Sequence, residues 1–174
     1  MPLLGATSGY TSPRSKEHLR TILARLKQDD DSTATDVTTL EASVLILEAI
    51  IGYELATFTS TTVIGQPLYI SGSDTVDLAD ASVEGTSDVI GVAFEDVTAA
   101  GSGRYITHGI VTQSVWTSVT GSITLTAGAN YYLSETTGLL TVTPPSTVGA
   151  YVIQVGTAVD LETLSVNLHH RLKL

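Results

Sequence analysis

The spacing of apolar residues changes once along this chain, from a helical period to a strand period. Leu19, Ile22, Leu23 and Leu26 fall on one helical face, with Arg20, Arg25 and Lys27 away from it. Ser12 and Pro13 supply an N-cap and a first helical residue, so a helix is predicted over 13–28. Asp29, Asp30 and Asp31 end it, because negative charge is unfavourable at a helix C-terminus. Residues 1–11 read as an extended arm and 29–35 as a polar linker. A second helix is predicted from Asp36, with Val37, Leu40, Val44, Leu47 and Ile51 at the 3-4 spacing of a heptad seam. Leu45, Ile46 and Ile50 widen its apolar surface, which favours a contact between subunits over packing within one chain.

From Thr57 onward the pattern reads as short strands and turns. The expected strands centre on 61–63, 68–70, 89–93, 104–106, 110–112, 122–125, 131–133, 139–142, 152–155 and 164–168. Short strands at this spacing imply a β-sandwich or small barrel and exclude alternating β and α units. Pro144 and Pro145 mark a loop or edge. Gly91 and Gly156, each inside an apolar strand, suggest bulges. The strands also recur in sequence. Residues 64–71 (IGQPLYIS) answer 127–134 (AGANYYLS), aligning Gly65 with Gly128, Tyr69 with Tyr132 and Ser71 with Ser134 at an offset of 63. Residues 89–93 answer 154–158 at an offset of 65. The fold expected is therefore mainly β, with an N-terminal helical segment (1–56) and a β-rich module (57–174). The module is expected to hold an internal two-fold repeat, with half-domains at about 63–94 and 125–159 around a shared core.

Composition fits that reading. The charged share is 15%, and Thr, Ser, Gly and Val fill the gap, which suits a pleated surface. The net charge of −10 is uneven: Arg14, Lys16, Arg20, Arg25 and Lys27 are five of the eight bases. Between Gln28 and His169 the only base is Arg104, against 17 acids, a surface that repels phosphate and excludes nucleic acid as a partner of the module. With no Cys, disulfides and thiolate chemistry are excluded. No signal peptide is indicated, and the most apolar run, 42–51, is too short to cross a bilayer, so no membrane partner is expected.

Candidate chemistry is sparse. His169 and His170 are adjacent and would point to opposite faces of a strand, so a metal role is disfavoured. His108 has no accompanying nucleophile. Asp74, Asp77 and Asp80 recur every third residue, but solvated turn acids are preferred over a calcium loop. Gly101-Ser102-Gly103 precedes no helix and is a poor phosphate cradle. Trp116, Tyr131 and Tyr132 could stack on a sugar, although filling the core is the preferred role. No catalytic residue, cofactor or metal is expected.

The order 65–69 (GQPLY), 78–82 (LADAS) and 89–93 (VIGVA) resembles a β-module found in tailed-bacteriophage virion proteins. So do 125–134, 137–141, 144–147 and 155–158, and the match covers about 63–168. Such modules occur in capsid decoration proteins, head fibres and neck or tail fibres, commonly as trimers. The resemblance implies a non-enzymatic homotrimer on the particle surface, made in the host cytoplasm, whose partners are itself and capsid, neck or tail proteins. A head-surface role is ranked ahead of a neck or tail fibre, with a receptor- or glycan-binding module as the alternative from another class. Within it, Val37, Leu40, Val44, Leu47 and Ile51 would form the oligomerisation seam, although their composition nominally favours a dimeric coiled coil. Arg14, Lys16, Leu19, Arg20, Ile22, Leu23, Arg25, Leu26 and Lys27 would dock to the particle.

Overall fold

Strands account for most of the regular structure in the computed structural model, which describes residues 52–174. The arm, both expected helices, the seam and the docking residues lie outside the described residues. Twelve strands and one helical turn follow. They are β1 (Tyr53–Phe58), β2 (Pro67–Gly72), β3 (Thr75–Leu78), β4 (Val89–Ala93), β5 (Ser102–Ile106), β6 (His108–Thr112) and α1 (Thr117–Thr120). Then come β7 (Asn130–Leu133), β8 (Leu140–Thr141), β9 (Tyr151–Val152), β10 (Gln154–Ala158), β11 (Thr163–Asn167) and β12 (Leu172–Lys173). β1 begins at Tyr53, ahead of the Thr57 from which the sequence pattern reads as strand.

Ten of the strands form two sheets with one connectivity, and β9 and β12 pair as a separate two-stranded sheet. Residues 53–106 build a barrel in the cyclic order β1-β5-β4-β2-β3, and residues 108–167 build an open sheet in the order β6-β11-β10-β7-β8. Their ladders agree residue by residue. Pro67, Leu68 and Tyr69 oppose Val92, Gly91 and Val89, while Asn130, Tyr131 and Tyr132 oppose Thr157, Gly156 and Gln154. Each ladder skips one residue, Ile90 in the first and Val155 in the second, so Gly91 and Gly156 sit beside matching bulges. Both glycines are required by close approach: a Cβ on Gly91 would strike the Ile106 carbonyl oxygen, and one on Gly156 the Ser165 carbonyl oxygen. Gly65 and Gly128 open the second strand of each half at φ +88° and +76°, donating their N–H groups to Ala93 O (2.8 Å) and Ala158 O (2.9 Å). The repeating unit is thus longer than the two segments expected, since it also includes β1 and β5 in one half and β6 and β11 in the other.

Only the first half closes. Thr57 and Phe58 pair in parallel with Thr75 and Val76, and the barrel encloses Ala56, Phe58, Leu68, Val76, Ala93 and Val97. In the second half the chain leaves β6 for Trp116 and α1. Trp116 and Val119 are fully buried there, in the core that both halves share with Ala79, Val92, Ile106, Leu133, Val155 and Leu164. Two expected strands are absent. Thr62 makes a single bridge to Val97. In 122–125, Ile123 is 67% exposed and its carbonyl accepts from the Trp116 N–H, so this backbone closes the α1 turn and enters no ladder. Pro144 and Pro145 lie in a loop.

The halves are also joined by main chain. Ala79 O accepts from Gly138 N–H (2.8 Å), Ala81 N–H donates to Ser134 O (2.9 Å), and Ala81 O accepts from Tyr151 N–H (2.9 Å). The segment after β3 therefore runs as a seam strand between the two sheets, satisfying polar groups that burial would otherwise leave unpaired.

Candidate functional site

The candidate residues of the module do not converge. Trp116 is buried, with Nε1 donating to Glu162 O (3.0 Å), and its ring sits where a Cβ on Gly65 would come. Tyr131 is 2% exposed and its hydroxyl accepts from the Thr126 N–H (2.9 Å). Tyr132 is half-buried on β7. With two of the three rings in the core, the trio forms no shared exposed face for a sugar. Adjacent positions on one strand, Tyr131 and Tyr132, are directed to opposite sides of the sheet.

The acids are occupied locally. Asp74 takes φ +55° in the β2–β3 turn, at the place where Gly138 takes +72° in the β7–β8 turn. At Asp77, burial works to raise the pKa, but hydrogen bonds from Ser60, Thr59 and the Leu78 N–H outweigh it and hold the carboxyl below its usual range. Asp80 follows the same balance: burial raises it, while the Ser82 hydroxyl and N–H and the Thr137 hydroxyl lower it further. Thr137 Oγ1 donates to Asp80 Oδ2 at 2.7 Å, so this carboxylate also ties one half to the other. Among the described residues no group of three or more His, Cys, Asp or Glu is placed to hold a metal ion.

His108 begins β6, with Nδ1 3.0 Å from Thr107 Oγ1 and the ring against Gly52. Ser102 and Gly103 open β5 and Gly101 lies in the turn before it; the barrel residues Val97 and Phe58 crowd Gly103. Arg104 is held by Glu95 through Nε–Oε1 (3.1 Å) and Nη2–Oε2 (3.0 Å), a bidentate pair with the guanidinium 5.7 Å from the Phe94 ring centroid.

Among the described residues, a cleft at the C-terminal end gathers charge. This cleft, of about 330 Å³, is lined by Ser87, Asp88, Ile153, His169, His170 and Arg171, among others. The strand β12 pairs with β9, Leu172 opposite Val152 and Lys173 opposite Tyr151, and this brings the C-terminal bases against the first half's 84–88 loop. Arg171 Nη1 donates to Glu84 O (3.3 Å) and lies 3.4 Å from Ser87 Oγ. Sequence reasoning weighed His169 and His170 only as metal ligands. The signal it passed over was the return of positive charge at 169–173 after a long acidic stretch.

No protein-family model matches this sequence, and no curated protein is similar to it. Chains of solved structures do match. One belongs to "The capsid of Myoviridae Phage XM1", at 16% identity and a TM-score of 0.39, over 66% of this chain and 83% of that one. A likeness that loose carries no functional argument. Among the described residues no helix is long and apolar enough to cross a membrane.

Proposed function

We propose that this chain is a non-enzymatic structural protein of a tailed-phage virion. In this reading it forms a homotrimer on the head surface, as a decoration protein or head fibre, fixed to the particle by its N-terminal segment. The observation that supports it is the β-unit built twice over a shared core, with Trp116 and Tyr131 spent on packing. The same strands carry the motifs that resemble virion β-modules. A scaffold of this kind presents a rigid body and needs no convergent catalytic groups. Arg14, Lys16, Arg20, Arg25 and Lys27 provide a cationic docking segment, and the acidic module stays apart from like-charged neighbours.

Sedimentation equilibrium tests the assembly role. A trimer is expected, and Leu47→Asp should dissociate it, because an unpaired carboxylate in an apolar seam costs roughly several kcal/mol. A stable monomer at micromolar concentration would remove that role. Docking is tested by adding a chain lacking residues 1–28 to particles stripped of this protein. Binding should be lost; undiminished binding would move the docking surface to the β-module. Labelling the chain in intact particles separates head from neck or tail.

A further inference from the structure

We propose that the cleft between the 84–88 loop and the C-terminal residues 168–171 binds an oxyanion, a carboxylate or phosphate group, on the free edge of the Arg171 guanidinium. The first ground is charge. His169, His170, Arg171 and Lys173 crowd the end of an otherwise acidic module, and among the described residues no carboxylate forms an ion pair with Arg171 or Lys173. Arg104 is neutralised by Glu95, which leaves this corner as the module's concentrated positive charge.

The second ground is orientation. The guanidinium carbon of Arg171 lies 5.4 Å from the Tyr151 ring centroid, and that ring is 4% exposed and fixed in the core. Nη1 is spent on two neutral acceptors, Glu84 O and Ser87 Oγ, which hold the plane without cancelling its charge. Among the described residues no acceptor meets Nε or Nη2. That pair is the fork that matches a carboxylate or phosphate in two parallel hydrogen bonds. Lys173 Nζ stands 5.3 Å from the same ring, so two cations share one aromatic neighbour and an anion between or beside them relieves their repulsion.

The third ground is shape. The cleft has room for a small ligand, and His169 and His170 add ring nitrogens to its wall. Asp88 lies in the same lining and is exposed. It disfavours a polyanion and offers an acceptor to a hydroxyl beside the ligand's acid group. The proposal stands independently of the virion reading.

The test is an NMR titration of the full chain with inorganic phosphate and, separately, with glucuronate, at ionic strength matched by sodium chloride. Saturable shifts at Arg171, His169, His170 and the 84–88 loop are expected. Arg171→Gln should weaken binding at least about tenfold, the loss of the charge-assisted fork. Lys173→Gln, outside the lining, should weaken it about threefold without disturbing the loop. Tighter binding of glucuronate identifies a carboxylate ligand, and tighter binding of phosphate a phosphorylated one. Shifts that rise linearly and equally with both anions and with chloride would overturn the site, as would unchanged affinity in both variants.

Discussion

The two halves of the module share a strand order and a register, yet one is a closed barrel and the other an open sheet. The difference traces to the chain that leaves the first strand of each. After β1 the connection 59–66 is short, and Phe58 continues into a parallel pair with Val76. After β6 the connection 113–129 is longer and carries Trp116 and α1. Trp116 enters the shared core, and among the described residues β8 pairs with β7 alone. Closure in one copy and opening in the other lets the second sheet cover the first. An exposed pair of barrels would each have to bury its own core, whereas the shared core here draws on both.

The largest test of that account is Trp116→Ala. Truncating a fully buried indole and removing one of the two donors to the Glu162 carbonyl, the other being the Gln113 N–H, should cost about 3–5 kcal/mol, measured by urea unfolding. Hydrogen exchange should show the second sheet loosening ahead of the barrel; equal loosening of both would mean that Trp116 supports the module as a whole. The matching bulges come next. Gly91→Ala and Gly156→Ala each drive a methyl group into a main-chain carbonyl, and each should lose about 1–3 kcal/mol. Comparable losses support equivalence of the two sites; a neutral effect at one breaks it.

A smaller effect is expected at the junction. Asp80→Asn should cost about 0.5–1 kcal/mol at neutral pH, given its exposure and the Thr137 bond it weakens. The folded pKa of Asp80 is lowered, so its contribution is full above the unfolded carboxylate value, about 3.9, and disappears as pH falls through the folded value. The stability curve of the variant should be flatter across that acid window, and an unchanged curve would count against the role. The smallest effect belongs to Asp74→Gly. It replaces an L-residue at φ +55° with the residue found at the equivalent turn, Gly138, and should stabilise by a few tenths of a kcal/mol. The reverse change, Gly138→Asp, should destabilise, since a Cβ there meets Gln66 and Leu78.

Much of this architecture is legible in the sequence, because local rules carry it. Short runs of β-branched and apolar residues specify strands, the aligned Gly65 and Gly128 mark the repeat, and Gly91 and Gly156 specify bulges. Recurrence of Tyr69 as Tyr132 makes the repeat visible, and the core role preferred for Trp116, Tyr131 and Tyr132 holds for the first two, while Tyr132 is half-buried. Three features depended on tertiary structure. Closure of the first half rests on Thr57 and Phe58 meeting Thr75 and Val76, a long-range parallel pairing that no periodicity encodes. The strand-like run 122–125 lost its ladder to the α1 turn, since burial of Trp116 outweighs local β-propensity. The cleft exists because β12 folds back on β9 and sets Arg171 against Glu84 and Ser87, residues far apart in the chain. A base has the same charge wherever it sits, but whether its donors are free is decided by the neighbours that folding brings to it.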